Sequence, residues 1–266
     1  DYLRLSGKGP QEARPDVSRK LMIARSEIAA ALEPVEVMPP AVRPEQGHRT
    51  ARAALGVGRR GGAWLSEAKL RLAYHDLLDA QDGYAEGSQL NFFSAVMRQR
   101  EQDKLKLESF HPLEIVSLSP RDLFIHPWSW NFSSGVERRR IDGEAGKLAG
   151  VLRGGAGAAF RPVSRLLVFS LLDAALEYSQ DYEQSEWAGG LGPWAGIIVD
   201  FTERLRLMPQ VRVMRFGVGR EYDSLRLGAD ARLTLSRNNA LVFSSARTGE
   251  FGSYANEWLL GWQLYF

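Results

Sequence analysis

Histidine and aspartate side chains in two segments of the sequence have types and spacing suited to acid–base chemistry. His75 lies in the stretch YHDLLD, four residues before Asp79, and the two could form a His–carboxylate pair. His126 lies three residues before Ser129, which could supply a hydroxyl nucleophile beside a base. These residues are therefore the candidates for a hydrolytic site.

A turn is the simpler explanation of the same residues. In HDLLDAQDGY the Asp side chains are placed to accept hydrogen bonds from nearby backbone amides. The segment DAQDGY resembles part of a calcium loop, but it lacks that loop's length and closing Glu. The chain has no cysteine, which excludes a thiolate ligand or cysteine nucleophile within it. We therefore predict no metal site, no cofactor and no catalytic residue, with His75, Asp79 and His126 as weak catalytic candidates.

The elements that carry these residues are predicted strands. From about His48 onward, apolar and polar residues alternate in segments of about 10 to 15 residues, bounded by Gly, Asn, Asp or Pro. We predict about twelve strands, at 51–60, 63–76, 88–100, 103–117, 126–138, 148–161, 165–178, 190–202, 205–219, 222–236, 239–250 and 253–266.

Each predicted strand has one apolar and one polar face. In EAKLRLAYHD, Leu70, Leu72 and Tyr74 share a face. The opposite faces of this strand and of SLRLGADARLTL carry charges of both signs, which can neutralise one another. They predict a charge network inside the fold, formed by Glu67, Lys69, Arg71, Arg226, Asp230 and Arg232.

Strand length decides between two all-β architectures. Strands of soluble sandwiches are typically ~5–6 residues long, whereas crossing a bilayer takes ~9–11 residues with the apolar face turned to lipid. Aromatic residues also fall near both predicted ends of the strands, as in the girdles of membrane barrels. We predict an all-β fold, a transmembrane antiparallel up-and-down β-barrel of about twelve strands, preceded by one short amphipathic helix.

The final strand, NEWLLGWQLYF, places a large apolar residue at every second position from Trp258 to Phe266. It resembles the carboxy-terminal signal of bacterial outer-membrane proteins, with Gly261, Leu264 and the terminal Phe266 at the matching positions. The pattern predicts an assembly signal and transient contact with the machinery that inserts barrels into the outer membrane.

Composition excludes several other classes of protein. Among 266 residues, 34 Lys and Arg against 32 Asp and Glu leave a net charge of +2, so no nucleic acid is expected as a partner. No uncharged apolar run reaches the roughly 18 residues of a transmembrane helix, and no signal peptide is recognisable. Because the first residue is Asp1 rather than Met, we expect the chain to be a processed or trimmed part of a longer product.

The amino-terminal segment has a different pattern. A helical stripe of apolar residues precedes Pro34, and the proline-rich stretch EPVEVMPPAVRPEQG follows; the stripe comprises Val17, Leu21, Ala24, Ile28, Ala31 and Leu32. We predict two domains: residues 1–47, a periplasmic helix and Pro-rich linker, and residues 48–266, an outer-membrane β-barrel.

Two stretches resemble a group of Gram-negative envelope proteins. They are LRLAYHDLLDAQDGYAEGSQLNFF, residues 70–93, and LEIVSLSPRDLFIHPWSWNFSSGVERR, and the resemblance extends from about PEQGHRTARAALGVG to the end of the chain. In that group, an amino-terminal periplasmic domain similar to the Lnb lipoprotein acyltransferases, with a papain-like thiol site, precedes a carboxy-terminal outer-membrane barrel. The thiol domain is missing from this chain.

The resemblance implies a barrel that anchors and positions the missing Lnb-like domain. We expect it in the outer membrane of a Gram-negative bacterium, with both termini in the periplasm. The expected partners are phospholipid and lipopolysaccharide, together with the chain's own periplasmic domain or another envelope protein.

Two other functions remain open from the sequence. One is a lipid-acting hydrolase of the twelve-strand barrel type, and the other is a narrow channel. Twelve strands give a backbone radius of roughly 12 Å, from which inward Arg and Lys side chains must be subtracted. We therefore expect the chain to be catalytically silent and nearly closed to ions.

Overall fold

The computed structural model describes residues 14–27, 42–101, 103–140 and 146–266. The chain divides into two compact units, Asp1–Pro40 and Ala41–Phe266. In the first, helix α1 spans Arg14–Glu27 and includes Val17 and Leu21 of the predicted stripe, whereas Ile28, Ala31 and Leu32 lie outside the described residues. Among the described residues, no helix has the length and apolar character needed to cross a membrane.

The second unit begins with a short 3-10 turn, Pro44–Gln46, and continues as strands. In chain order these are β1 Arg52–Arg60, β2 Ala63–His75, β3 Ser88–Arg100, β4 Lys106–Ser117, β5 Pro120–Arg121, β6 Ser129–Arg139, β7 Lys147–Val163, β8 Leu166–Tyr178, β9 Trp187–Asp200, β10 Leu205–Gly219, β11 Tyr222–Ser236, β12 Asn239–Glu250 and β13 Ser253–Tyr265. The predicted strand ends agree with the twelve long strands to within three residues. The two-residue strand β5 was not predicted.

The twelve long strands form a closed antiparallel barrel. Each pairs with its neighbours in the sequence, and β1 pairs with β13, so that Arg52 lies opposite Tyr265. Strand β5 pairs in parallel with β7 from Pro120, opposite Ala159, beyond the last pair that β6 makes with β7. The predicted fold class is confirmed.

The barrel has two rims. The termini rim holds the start of β1, the end of β13 and the long connections 76–87 and 118–128. The far rim holds, among others, the short turns at 61–62, 220–221 and 251–252 and the connection 179–186.

The alternation of the sequence separates an outer from an inner face. Apolar side chains such as Leu55, Leu72 and Trp262 are exposed on the outside, where lipid would cover them. The inner face is less polar than the alternation predicted. In its first half, near the termini rim, strand β8 is mostly apolar on both faces, and its inward residues Leu167, Phe169 and Leu171 fill part of the lumen.

A charge placed on the outer face tests this assignment. Leu260 is half exposed between Trp258 and Trp262, and its replacement by Arg should cost about 2–4 kcal/mol because a guanidinium near the bilayer midplane loses its hydration. Urea-induced unfolding in phospholipid vesicles measures the cost. Leu260→Met is the control and should change stability little. Equal stability of the two variants would contradict a lipid-facing Leu260.

Candidate functional site

The connection 76–87 folds into the lumen at the termini rim. Leu77 is buried in an apolar cluster that includes Leu118, Phe169 and Trp194. Arg206 donates hydrogen bonds to the carbonyl oxygens of Leu77 and Asp79, at 3.1 and 3.4 Å. The connection therefore acts as a plug that is held by both apolar contacts and backbone hydrogen bonds.

One glycine allows the plug to pack against the neighbouring connection. Gly87 has φ +69°, and a Cβ at this position would lie 2.5 Å from the carbonyl oxygen of Leu118. The amide of Leu118 donates to the carbonyl oxygen of Gly87 at 2.7 Å. Only glycine combines this backbone conformation with so close an approach.

Asp79 lies at the centre of a buried group that we call the mouth cluster; its members are His48, Arg52, Arg71, His75, Asp79, Tyr84, Arg232 and Tyr265. The Asp79 carboxylate accepts hydrogen bonds from Arg71 at 2.9 Å, from Arg52 at 3.3 Å and from the Tyr265 hydroxyl. It also accepts one from the backbone amide of Asp76 at 3.0 Å, the local turn contact that the sequence predicted.

The charge state of Asp79 follows from these contacts. Burial would raise its pKa, but the guanidinium groups of Arg71, Arg52 and Arg232 outweigh burial and hold the pKa well below its usual range. Asp79 is therefore a buried carboxylate that stays ionised.

His48 and His75 form a chain of hydrogen bonds beside Asp79. His48 Nδ1 lies 2.7 Å from the Arg49 carbonyl oxygen, so it carries the proton. His48 Nε2 is then the acceptor of the 3.2 Å contact with His75 Nδ1. His75 Nε2 in turn lies 3.5 Å from the side-chain nitrogen of Gln81. In this arrangement both rings are neutral, and both stack on the ring of Tyr84.

This arrangement is poorly suited to base catalysis. The ring nitrogens of both histidines already face other groups, and Asp79 is directed to arginines rather than orienting a histidine for proton transfer. His126 lies in the separate connection 118–128 and is exposed. The structure thus brings His75 and Asp79 together and leaves His126 apart. The prediction of no catalytic residue stays a prediction.

Three residues of the mouth cluster have atoms close enough together to be metal ligands. One atom each of His48, His75 and Asp79 lies within 4.8 Å of the others. However, Asp79 already contacts Arg71 and Arg52, and a divalent cation would have to compete with these guanidinium groups for the carboxylate. We assign no metal to the cluster.

Hydrogen bonds beside the mouth cluster fix the segment that leads into β1. Arg237 donates to the carbonyl oxygens of Gly47 and Glu45, at 2.6 and 2.7 Å. The amide of Arg49 donates to Asn238 at 3.2 Å, and the Tyr84 hydroxyl donates to the carbonyl oxygen of His48 at 2.7 Å. We call these contacts the entry clamp. No periodic pattern in the sequence predicts the entry clamp, because the residues that form it lie outside the strands.

Beyond the plug, charged side chains surround a chamber of about 350 Å³ toward the far rim. Arg139 contacts Glu177 at 2.6 Å, Glu137 at 2.8 Å and Glu250 at 3.1 Å. Glu177 also accepts hydrogen bonds from the Tyr182 and Tyr222 hydroxyls, each at 2.6 Å. Buried aromatic residues thus narrow the lumen at this end as well.

The predicted charge network is found on the inner wall with different partners. Glu67 contacts Lys69 at 2.9 Å and Arg98 at 2.6 Å. Arg71 and Arg232 belong to the mouth cluster. Asp230 accepts hydrogen bonds from Gln210 and Ser244, which are neutral, and Arg226 lines the chamber. Alternation predicts which residues share a face of a strand, but it does not identify their partners.

The predicted assembly signal lies on β13 and just after it. Leu264 and Phe266 are exposed on the outer face, and the Phe266 amide donates to the carbonyl oxygen of Ala51 at 3.0 Å. At Gly261, a Cβ would lie 3.1 Å from the side chain of Val242. Recognition of these residues by assembly machinery stays a prediction.

His48, in the segment that leads into β1, should make the stability of the barrel depend on pH. Burial lowers the pKa of His48 below its ordinary value of 6.5, so the unfolded chain takes up a proton at a higher pH than the folded chain does. The stabilisation that comes from burying neutral His48 is present above pH 6.5 and is lost as the pH falls. Urea unfolding at about pH 7 and about pH 5 should show this loss. His48→Gln should reduce the difference and His126→Gln should not; an unchanged difference in His48→Gln would contradict the assignment.

The chain is similar to several solved structures. The porin NanC has a TM-score of 0.50 and 6% identity, with 80% of this chain and 100% of that chain covered. KdgM, a porin solved with disordered oligogalacturonate, has a TM-score of 0.48 and 8% identity, covering 81% and 99%. LpxR from Salmonella typhimurium has a TM-score of 0.44 and 13% identity, covering 81% and 100%. At these identities the likeness to NanC shows the fold alone.

The sequence matches no curated protein. It does match one protein family, described as "Domain of unknown function (DUF7840)", over residues 41–265. The match spans the whole barrel, including the plug, the mouth cluster and the entry clamp. This chain, with the fold of an outer-membrane β-barrel, belongs to the DUF7840 family.

Proposed function

We propose that the barrel anchors a periplasmic domain in the Gram-negative outer membrane and fixes the point where that domain is attached. The domain would precede the chain described above and, as the sequence resemblance implies, belong to the Lnb-like thiol group. Both termini would then lie in the periplasm.

The entry clamp is the observation that carries the proposal. A flexible tether would need no contacts with the barrel, whereas four hydrogen bonds hold residues 45–49 against the plug and the 237–238 turn. The buried His48 adds stacking contacts with Tyr84 and Tyr265. Such contacts hold the entering chain at one side of the mouth, which suits the positioning of a domain that precedes it.

The filled lumen favours the anchor over a channel. The plug and the mouth cluster occupy the termini rim, and the Arg139–Glu177 group with its tyrosines narrows the far rim. Side chains held by several charge-assisted hydrogen bonds do not move aside readily. The hydrolase alternative has less support, since the hydrogen bonds of His48 and His75 occupy their ring nitrogens.

The clamp can be tested on the purified chain. Arg237→Gln should speed trypsin cleavage after Arg49, because it removes two hydrogen bonds that hold this segment. Arg204→Gln, in the exposed 201–204 turn of the same rim, is the control and should leave cleavage unchanged. An equal cleavage rate in wild type and Arg237→Gln would remove the main support for positioning.

Anchoring itself is tested in cells with the complete gene product. A protease site inserted between residues 34 and 40 should, once cut, release the preceding domain from the outer-membrane fraction into the soluble periplasm. Retention of that domain in the membrane after complete cleavage would contradict the anchor.

Reconstitution of the chain in liposomes tests the alternatives. We expect neither steady conductance nor hydrolysis of phospholipid or lipid A. Lipid hydrolysis that is abolished by His75→Ala or His126→Ala would make the barrel an enzyme, and steady porin-like conductance would make it a channel.

A further inference from the structure

A row of outward-facing residues crosses four adjacent strands near the far rim. Arg59 of β1 pairs with Trp258 of β13, Trp258 pairs with Ser245 of β12, and Ser245 pairs with Ala229 of β11. The next row toward the rim contains Asn256, Arg247 and Leu227, again in register. Two arginines, on adjacent outward rows and two strands apart, thus lie on the outside of the barrel.

Neither arginine contacts a carboxylate within the described part of the chain. The Arg247 guanidinium lies over the Tyr254 ring at 5.4 Å, and within the described part of the chain it has no hydrogen-bond or ion-pair partner. Among the residues that the structure describes, Arg59 donates only to the carbonyl oxygen of Gly62. By contrast, the exposed Arg215 contacts Asp223 at 3.0 Å and Glu221 at 3.4 Å.

The small residues of these rows leave a depression in the outer wall. It has a volume of about 560 Å³, and its lining includes Arg59, Ala229, Ser245, Arg247, Asn256 and Trp258. The acidic residue that lines it among those described, Glu257, instead directs its carboxylate to Arg98 at 2.9 Å, inside the lumen. The outward side of the depression is therefore cationic.

Toward the middle of the barrel, the adjoining outward row is apolar. Val57, Leu260, Phe243 and Ala231 pair in order across the same four strands. The depression thus lies where the polar rim meets the lipid-facing belt. A ligand that fits both parts has an anionic head and a hydrocarbon tail.

We propose that this depression binds the phosphorylated headgroup of a lipopolysaccharide molecule. Arg247 and Arg59 contact the phosphate, since guanidinium groups bind phosphate with strong charge-assisted hydrogen bonds. An acyl chain lies along Ala231, Phe243 and Leu260. The choice of lipopolysaccharide over phospholipid rests on the orientation proposed above, in which the far rim lies in the outer leaflet.

The test uses the full chain in detergent and native mass spectrometry. It is titrated with lipopolysaccharide, with the same lipid after removal of its phosphates, and with phosphatidylglycerol. Wild type should bind the phosphorylated lipopolysaccharide about tenfold more tightly than the other two. The double variant Arg59→Gln and Arg247→Gln should lose this preference, while Arg215→Gln should keep it because Arg215 is already paired with carboxylates. Heat-modifiable migration on a gel confirms that each variant is folded.

Three results would overturn the site. They are undiminished binding by the folded double variant, equal binding of the dephosphorylated lipid, and an equal loss of binding in Arg215→Gln. Equal or tighter binding of phosphatidylglycerol would overturn the assignment to lipopolysaccharide. Neither conductance nor hydrolysis enters this test, so its failure is distinguishable from failure of the anchor.

Discussion

Replacement of Asp79 by Asn should lower the free energy of unfolding by about 3–5 kcal/mol, the range expected when one partner of a buried ion pair is removed. Asp79 is the carboxylate that both Arg71 and Arg52 contact, and Arg71 is 1% exposed. Asn can accept a hydrogen bond but cannot neutralise a guanidinium. The substitution therefore leaves buried positive charge at the termini rim.

Urea-induced unfolding in phospholipid vesicles, followed by tryptophan fluorescence, measures this effect. The control is Asp82→Asn, which removes a carboxylate from an exposed position of the same connection and should change stability little. If Asp79→Asn were as stable as the control, the mouth cluster would not stabilise the barrel.

The second large effect is expected at the opposite rim. Arg139→Met should also cost about 3–5 kcal/mol, because it leaves Glu137, Glu177 and Glu250 without the cation that they share. Met is similar to Arg in length, so most of the loss should come from charge rather than from a cavity.

The residue that precedes Arg139 provides a matched control for the Arg139→Met prediction. Arg138 precedes Arg139 on β6 and so lies on the opposite face, where it donates to backbone carbonyl oxygens. Arg138→Met should therefore cost much less. The cost of Arg139→Met should also shrink at low pH, as the carboxylates become protonated. A cost that is equal for the two variants, or independent of pH, would contradict the charge argument.

The barrel could be predicted from the sequence because its strands carry a strong local signal. In β2, alternation places Leu70 and Leu72 outside and Arg71 inside, and the structure agrees. Strand β8 shows the limit of this signal. Its first half is mostly apolar on both faces, so alternation could not reveal that Leu167 and Phe169 would pack against a plug.

The mouth cluster could not be predicted, because its contacts join residues far apart in the sequence. Asp79 was interpreted as a turn residue from its neighbours, and its bond to the Asp76 amide agrees with that interpretation. Its contacts with Arg52 and Tyr265 depend on the closure of the barrel and on the inward path of the connection. Local periodicity contains no information on either.

The position of Tyr265 also determines when the mouth cluster can form. Tyr265 lies on the last strand, opposite Arg52 on the first, and both contact Asp79. These contacts require the whole barrel to be synthesised and its first and last strands to meet. Contacts this distant in sequence bear the largest loop-closure cost, and so form late. Burial of Tyr265 against Asp79 therefore marks a completed barrel, and an assembly intermediate with an open β1–β13 seam would lack it.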